Sequence, residues 1–452
     1  MGEGIKMTSL FIFRRDLRLQ DNTALIAALK NSEEVIPAFI LTPEQLRKND
    51  YKSDNAVQFM LESLRELDCE LKRQGSKLYF FEGRPDQVVE MLSSKVNAVY
   101  LNKDYTPYST IRDAKIDRVC KEKNMQFHAF QDCLLTEPHE ILTGSGKPYT
   151  IYTPFYKKAR GKKIRLPTNN NRKNYSKKSY GEKGIEILKK YTPKINESIF
   201  RRGGRKEGLN LLTQVKKHKA YQKERDIPSI DGTTGLSAHN KFGTISIREF
   251  YHKVADTLGK NHQLIMELFW RDFYTHIAFN FPYVFGKEHK EKYQKLRWNY
   301  NKKYFKAWCE GKTGFPIVDA GMRQLNQTGW MHNRVRMIVA SFLTKDLHID
   351  WRWGEKYFAQ KLVDYDPAVN NGSWQWAAST GSDAQPYFRI FNPWSQQKKF
   401  DPECKYIKKW IPELGKYNPK EIHQWQGDDS YPSPIIDHDT ERKKTLEIFK
   451  EI

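Results

Sequence analysis

The sequence predicts an α/β domain built on a doubly wound parallel sheet, then a long connector, then an all-helical domain. Three observations support this fold class. Short apolar runs alternate with helical patterns over residues 7–135, which is typical of parallel strands joined by crossover helices. Lysine, asparagine and serine dominate the connector at 136–200. Strand patterns then nearly vanish over residues 201–452, where long helical patterns replace them.

Five runs rich in β-branched and aromatic residues predict the strands of the first domain. The runs are SLFIF, VIPAFIL, KLYFF, AVYL and QFHAF. Helical periodicity fills the segments between them, as in NAVQFMLESLRELDCELKRQG. Gly75 is expected to end that helix, because glycine readily adopts the left-handed conformation of a helix stop.

The connector predicts a long exposed connection between the two domains. Its phrase GSGK is not a phosphate-binding loop, because no glycine stands five residues before Gly146. Pro148 also replaces the serine or threonine that should follow the lysine.

The chain carries a strong positive charge, with 77 basic against 54 acidic residues and a formal net charge of +23. This excess favours attraction to a polyanion, either nucleic acid or an anionic membrane surface. No apolar run is long enough to span a bilayer, and the N-terminal MGEGIKM lacks the apolar segment of a signal peptide. We therefore expect an intracellular protein that does not enter a membrane.

Cysteine and histidine patterns predict no metal site. The five cysteines form no C-x-x-C pair, and the twelve histidines include no H-E-x-x-H motif.

The densest chemical pattern in the chain is VDYDPAVNNGSWQWAASTG. Here Asp364, Asp366 and Asn370 stand close to Trp374 and Trp376. Because an indole needs a large apolar surface and a partner for its N–H group, this crowding favours a pocket for a flat, heteroatom-rich ring. From this segment alone, a packed helical corner whose amides cap backbone groups is an equal alternative.

Two further helical faces combine polar and aromatic side chains. Residues at three- and four-residue steps share one face of the predicted helix QLIMELFWRDFYTHIAF: Glu267, Trp270, Arg271 and Tyr274. On another helix, Asn333 and Met337 lie one turn apart and present an amide and a thioether, which suits a polar-edged aromatic ligand. Taken singly, each face is more often structural.

The segment GTTGLSAHNKFG precedes a helical pattern and is rich in hydroxyl groups. Thr233, Thr234 and Ser237, with the backbone N–H groups of a helix start, suit a phosphate or pyrophosphate. A simple helix cap is the alternative.

Several long motifs, in this order along the chain, resemble the photolyase/cryptochrome family. They are FIFRRDLRLQDN, GTTGLSAHNKFG, ELFWRDFY, GFPIVDAGMRQLNQTGWMHNRVRM, DWRWGE and DYDPAVNNGSWQWAASTGSDAQPYFRIFNP. The resemblance is strongest to class I cyclobutane pyrimidine dimer photolyases. It implies an enzyme that transfers an electron from photoexcited, fully reduced FAD to a dimer in ultraviolet-damaged DNA, and recovers the electron after the dimer splits. It also implies that residues 7–135 bind an antenna chromophore and residues 201–452 bind FAD.

The resemblance assigns a set of residues to the cofactor. It implies that FAD is held by Tyr221, Thr233, Thr234, Gly235, Leu236, Ser237, Arg336, Asp364, Asp366 and Asn370. Arg336 and Asp364 would form a buried ion pair, and Asn370 would face the flavin N5 edge. An amide can hydrogen-bond to N5 whereas an acid could exchange a proton with it, so Asn370 favours repair over plant-type signalling.

The resemblance places the lesion and the DNA beside this cofactor. The implied catalytic residues are Glu267, Trp270, Asn333, Met337 and Trp376. The implied DNA contacts are Arg225, Glu267, Trp270, Arg271, Tyr274, Asn333, Arg334 and Gln396. The two tryptophans would offer apolar faces to a dimer flipped out of the duplex. A neutral or proton-sharing Glu267 would stabilise the extra electron on the dimer.

A third set matches the family's electron-transfer chain, namely Trp374, Trp351 and Trp298. For any one of these tryptophans taken alone, core packing is the alternative. Their joint match favours electron hopping from the surface to the flavin.

Two other activities remain open at this stage. The (6-4) photolyases carry histidines in the lesion pocket, whereas this chain has Asn333 and Met337 there, which favours cyclobutane dimers. A cryptochrome-type blue-light sensor is the main alternative that is not an enzyme. A basic flavoprotein that binds nucleic acid without repairing it is a third reading.

The resemblance also leads us to expect a second chromophore in the first domain. Tyr108 and Ser109 stand where folate-binding relatives carry an Asn-Glu pair. A deazaflavin or a second flavin is therefore favoured over methenyltetrahydrofolate. The DNA partner should be bound by a monomer without sequence preference and with an affinity that falls as salt rises.

Overall fold

A five-stranded parallel sheet organises the first part of the chain. The computed structural model describes residues 7–47 and 49–452, so most of the N-terminal MGEGIKM segment lies outside the described residues. The strands are β1 (Thr8–Phe13), β2 (Glu34–Leu41), β3 (Tyr79–Glu82), β4 (Ala98–Asn102) and β5 (Gln126–Phe130), in the sheet order β3-β2-β1-β4-β5. All five predicted strands are confirmed. They were readable because strands buried on both faces give continuous apolar runs.

Helices cover both faces of this sheet. They are α1 (Thr23–Asn31), α2 (Pro43–Leu46), α3 (Asp54–Lys72), α4 (Pro85–Leu92) and α5 (Pro107–Glu122). Along β1, Phe11 and Phe13 enter one core while Leu10 and Ile12 enter the core on the opposite face. Gly75 follows α3 with a φ of +77°, as its predicted role in ending that helix requires.

The connector at 136–200 is exposed over about half of its length, and some of its residues pack into the cores of the neighbouring regions. It contains α6 (Tyr152–Ala159) and a 3₁₀ segment at Ile185–Tyr191. The buried residues of α6 recur at helical steps: Tyr152, Phe155, Tyr156 and Ala159. This short apolar stripe is masked in the sequence by the lysines and asparagines around it.

The remaining chain is helical among its described residues. Its α-helices are α7 (Arg205–Thr213), α8 (Tyr221–Glu224), α9 (Ser237–Phe242), α10 (Ile247–Leu258), α11 (Gln263–Asn280), α12 (Lys302–Glu310), α13 (Pro316–Thr328), α14 (Asn333–Ser341), α15 (Trp351–Lys361), α16 (Pro367–Ala377), α17 (Pro393–Phe400), α18 (Lys405–Trp410), α19 (Pro419–Ile422) and α20 (His438–Lys450). Short 3₁₀ segments lie at Gln214–His218, Pro282–Val284, Glu291–Lys295 and Pro412–Leu414, and a π-helical turn at Phe342–Asp346. Among residues 7–47 and 49–452, no helix has the length and apolar character needed to cross a membrane.

Candidate active site

A cavity of about 460 Å³ opens among α9, α10, α11, α14, α15 and α16. Most of the site residues predicted from the sequence line it. These are Tyr221, Arg225, Thr234, Ser237, Glu267, Trp270, Arg271, Tyr274, Asn333, Arg336, Met337, Asp364, Asp366, Asn370, Trp374 and Trp376. Segments far apart in the sequence thus form one concave surface, of the size and mixed polarity typical of ligand sites.

Helix α16 supplies one wall of this cavity. Asp366 caps its N-terminus by accepting a hydrogen bond from the backbone N–H of Ala368 at 3.2 Å. Asn370, Ser373, Trp374 and Ala377 then follow at three- and four-residue steps and all line the cavity.

Two ion pairs fix the acidic residues at the entrance to α16. Arg336 donates to both carboxylate oxygens of Asp364, at 2.9 and 3.2 Å, which confirms the predicted pair. Asp366 pairs with Arg15 of the first domain, just after β1. Burial acts to raise the pKa of Asp366, but Arg15 and then Lys241 hold it below the ordinary carboxyl value.

The side-chain amide of Asn370 is oriented by Glu355 of α15. Its nitrogen donates to the Glu355 carboxylate at 3.0 Å and to the Glu355 backbone carbonyl at 3.2 Å. These two bonds leave the amide oxygen to accept a hydrogen bond from a group in the cavity. Glu355 is only 6% exposed, and this burial raises its pKa to about 7.

We expect Glu355→Gln to be more favourable for stability at pH 8 than at pH 5, when the variant is compared with wild type at each pH. The folded protein keeps a proton on Glu355 that the unfolded chain releases at lower pH, so its contribution to stability falls as pH rises towards about 7. The difference in unfolding free energy between variant and wild type should shift by on the order of 2 kcal/mol between these pH values. Thermal unfolding of the cofactor-free protein measures this. If the difference in unfolding free energy were the same at pH 5 and pH 8, burial would not raise the pKa of the Glu355 carboxyl.

The predicted lesion residues form a second wall, contributed by α11 and α14. Trp270 is stacked on one face by Tyr152 of α6, with ring centroids 3.6 Å apart and planes at 8°. The Tyr152 hydroxyl is anchored by donating to the Met266 carbonyl oxygen at 2.7 Å. The Asn333 amide lies 3.8 Å from the Met337 sulfur, as their one-turn spacing predicts.

Two of the three predicted DNA-contacting arginines, Arg225 and Arg334, are held by acids. Arg225 forms an ion pair with Glu267, which also accepts a hydrogen bond from Gln263 at 3.0 Å. Arg334 does not line the cavity and pairs with Asp226 at 2.9 Å. Glu267, which the resemblance implies to be neutral or proton-sharing, lies beside the Arg225 guanidinium in this structure.

Several other predicted residues lie outside the cavity wall. Thr233, Gly235 and Leu236 belong to the turn before α9 and do not line it. Gly235 has a φ of +64°, where glycine is favoured, and a Cβ atom there would overlap the Arg201 guanidinium. Gln396 of α17 is half-buried and also outside the cavity.

The three tryptophans of the predicted chain occupy different depths. Trp374 lines the cavity and is 2% exposed, Trp351 is buried at the start of α15, and Trp298 is half-buried against the helical core. Gly354 makes room for Trp374, since a Cβ atom there would overlap its indole ring. The Trp351 indole N–H donates to Glu288 at 3.1 Å.

Sequence reasoning missed some residues of the site. Asn240, Lys241 and Tyr365 line the cavity, and Glu355 lies directly behind Asn370. Asn240 and Lys241 stand within the quoted motif GTTGLSAHNKFG, where an amide and an amine beside hydroxyl groups were a usable signal. The sequence around Glu355 carries no signal of its role, because that role depends on the contact between α15 and α16.

Comparison with known proteins identifies the group to which this site belongs. The model of the FAD binding domain of DNA photolyase matches residues 264–451, and the DNA photolyase model matches residues 9–171. The deoxyribodipyrimidine photo-lyase of Escherichia coli K12 is 37% identical over 468 residues, covering 98% of each chain. That of Alkalihalophilus pseudofirmus is 37% identical over 467 residues, covering 97% of each. The chain belongs to the DNA photolyase family.

Solved photolyase structures share the whole fold. The archaeal photolyase from Sulfolobus tokodaii, solved with two FAD molecules, is 45% identical, with a TM-score of 0.91 over 99% of this chain and 100% of that one. A class III photolyase from Agrobacterium tumefaciens is 33% identical, with a TM-score of 0.92 over 100% and 98%. A Synechocystis cryptochrome is 26% identical, with a TM-score of 0.88 over 99% and 100%. The predicted fold class and family resemblance are confirmed.

The cavity suits the FAD of the photolyase family. The Asn240 side-chain oxygen is buried without a hydrogen-bond partner among the described residues, as expected for a group that meets a ligand. Lys241 lies next to it, and burial lowers the pKa of this amine to about 8. Thr234 and Ser237 add hydroxyl groups from the same turn and helix start. These donors and acceptors fit the phosphates and ribityl chain of a dinucleotide.

Proposed function

We propose that this protein repairs cyclobutane pyrimidine dimers in DNA, using light and fully reduced FAD, as a monomer inside the cell and without sequence preference. Membership of the DNA photolyase family gives light-driven DNA repair. One observation supports the lesion and the site: most of the residues assigned to FAD and all of those assigned to catalysis on the dimer line a single cavity. Two ligands held side by side there can exchange an electron without a protein group between them.

On the cofactor side, each group has a role that follows from its contacts. Reduced FAD supplies the electron when it absorbs light. Tyr221, Thr234 and Ser237 would hold its phosphates, and the Arg336–Asp364 pair would border the ring. The Asn370 oxygen, oriented by Glu355, would accept a hydrogen bond at the flavin N5 edge.

On the substrate side, the cavity offers apolar faces and polar edges. Trp376 and the face of Trp270 opposite Tyr152 would pack against the flipped dimer. Tyr152 fixes the Trp270 ring, so little side-chain freedom is lost on binding. Asn333 and Glu267 would hydrogen-bond to the pyrimidine edges. A (6-4) photolyase would carry histidines in this pocket, whereas this chain has Asn333 and Met337.

DNA binding would reorganise the Arg225–Glu267 pair. A phosphate beside the cavity would compete for the Arg225 guanidinium, since arginine binds phosphate and carboxylate with the same donors. Glu267 would then be free to turn to the dimer. The family's tryptophan chain, Trp374, Trp351 and Trp298, would restore reduced flavin from the protein surface.

The proposal is tested with purified, prereduced protein illuminated with one of two oligonucleotides, carrying a cyclobutane dimer or a (6-4) photoproduct. We expect repair of the first alone. Glu267→Ala should keep FAD and lower the repair yield roughly tenfold, a smaller loss than the roughly hundredfold or more seen when one oxyanion-stabilising donor is removed. Glu197→Ala is the control, because Glu197 is an exposed acid paired with Arg202 far from the cavity wall. Repair of only the (6-4) lesion, or of neither, would contradict the proposal.

We further propose that the second chromophore is a flavin bound at the carboxyl end of the sheet. Ligands of open parallel sheets bind where the strand order reverses, which here is between β1 and β4. Beyond these strand ends lies the exposed ring of Tyr108, with the Arg112 guanidinium 5.7 Å from its centroid. The Sulfolobus tokodaii photolyase, solved with two FAD molecules, supports the choice of a flavin as the second chromophore.

The flavin content of the purified protein tests this antenna. We expect two flavins per chain in wild type and one in Tyr108→Ala, because the aromatic surface at the strand ends is removed. Tyr300→Ala, which removes an exposed tyrosine of the helical region, should retain both. One flavin per chain in wild type after reconstitution with excess FAD would contradict the second site.

A further inference from the structure

Arg15 joins the first domain to the wall of the FAD cavity. Its guanidinium forms an ion pair with Asp366, and donates to the Asp104 carboxylate and to the Lys241 carbonyl oxygen, each at 3.2 Å. Arg15 lies just after β1 and Asp104 just after β4, so both stand at the carboxyl edge of the sheet, where the strand order reverses. One guanidinium therefore links this edge to α16 and to α9.

Asp366 has a single ion-pair partner among the described residues, and that partner is Arg15. The Asp366 side chain is only 10% exposed and is held in place by capping α16. A charge with so little water around it acts strongly on its neighbours, because the effective dielectric constant is far below that of water. Arg15 therefore determines how much of the negative potential of Asp366 reaches the cavity.

This potential matters for a cofactor that works in its fully reduced form. Uptake of two electrons and one proton by oxidised FAD adds one negative charge to the cavity. The Asp366 carboxylate lines the cavity and opposes that charge, whereas a guanidinium paired with the carboxylate weakens the opposition. Arg15 does not line the cavity, so it acts through Asp366.

We propose that Arg15 is a positioning residue that raises the reduction potential of the bound flavin by offsetting the charge of Asp366. The inference rests on the proposed function, in which Asp366 holds FAD. Without Arg15, the Asp366 and Asp104 carboxylates would lose the cation between them, and oxidised flavin would be favoured. The redox balance of the flavin thus depends on a residue outside 264–451, the part of the chain that matches the FAD-binding model.

The test measures the reduction potential of FAD bound to the full-length protein, by stepwise reduction with dithionite beside a reference dye. Dithionite supplies the two electrons and water supplies the proton. We expect Arg15→Gln to shift the equilibrium towards oxidised flavin at least about tenfold, which is about 30 mV for a two-electron couple. Arg15→Lys, which keeps the charge, should shift it less.

Arg14→Gln is the matched control, because it removes a guanidinium from the same sheet edge. Arg14 pairs with Asp113 and donates to the Asn102 carbonyl oxygen, and it makes no ion pair with Asp366. We expect this variant to keep the wild-type potential.

A double-variant cycle tests whether Arg15 acts through Asp366. In the Asp366→Asn background, Arg15→Gln should change the potential much less, because the charge to be offset is gone. A flavin bound elsewhere in the chain would not respond to Asp366 and could not produce this difference. Asp104→Asn should shift the equilibrium towards reduced flavin, because it removes the acid that shares Arg15 with Asp366. A purely structural role of the cluster would not give Asp104→Asn and Arg15→Gln opposite signs.

Two results would overturn the role of Arg15. One is a wild-type potential in Arg15→Gln, and the other is an equal fall with and without the Asp366 carboxylate. If Arg15→Gln releases FAD, Arg15→Lys and Asp104→Asn decide, since both keep a cation beside Asp366, and the absence of opposite shifts in these two variants would overturn the role. Dimer repair by wild type together with any of these results would contradict Arg15 alone, whereas absence of repair by wild type would contradict the proposed function.

Discussion

Replacing Trp374 with Phe should slow light-driven reduction of bound FAD at least about tenfold while leaving repair by prereduced protein near the wild-type level. Trp374 is the tryptophan of the proposed chain that lines the cavity, and phenylalanine is much harder to oxidise. Since about 1.4 kcal/mol of added barrier already costs a factor of ten, the loss should be large. Absorbance of the flavin under steady blue light measures the first effect, and dimer repair after chemical reduction measures the second.

Trp308→Phe is the matched control for this experiment. Trp308 is as deeply buried, lies 6.1 Å from Trp374 between ring centroids, and does not line the cavity. Its replacement should cost packing energy but spare photoreduction. Equal slowing in both variants would mean that core packing, and not electron transfer, explains Trp374.

Asp364→Asn should release FAD and destabilise the protein by about 2 kcal/mol. Breaking a buried ion pair typically costs about 3–5 kcal/mol, and we lower that figure because the Arg336 side chain is 24% exposed. The variant leaves a guanidinium without its carboxylate at the cavity wall. FAD retained through gel filtration and the free energy of unfolding in urea are the two measurements.

Glu413→Gln is the control, because it removes the acid of an arginine pair away from the cavity. Glu413 in that pair is 39% exposed, against 4% for Asp364, and accepts a hydrogen bond from Arg323 at 2.7 Å. We expect a loss below about 1 kcal/mol, as for an exposed pair, and full FAD retention. FAD retained by Asp364→Asn at the wild-type level would show that the pair is not needed for the cofactor.

The parts of the fold that the sequence revealed are those encoded locally. Buried parallel strands appear as apolar runs, and Asn333 with Met337 appears as one helical step. The rest of the site could be predicted only from the resemblance of its motifs to a family. Tyr221 and Asp364 are far apart in the sequence, and only the packing of helices brings them to one cavity.

What escaped prediction depends on contacts between distant segments. Nothing near Glu355 in the sequence marks it as the partner of Asn370, and nothing near Arg15 marks it as the partner of Asp366. The Arg225–Glu267 pair was missed for a different reason. Each residue was assigned to a ligand, whereas in this structure the two opposite charges pair with each other.

Tyr152 has a consequence for any exchange of parts between this protein and its relatives. The ring that backs Trp270 belongs to α6, a helix placed in the chain before the helical region begins. A chimera that received only residues 201–452 of this protein would carry Trp270 without Tyr152. The side chain that the other protein has at the position of Tyr152 would then pack against Trp270. Substrate preference in such hybrids should therefore follow the origin of the connector as well as that of the catalytic half.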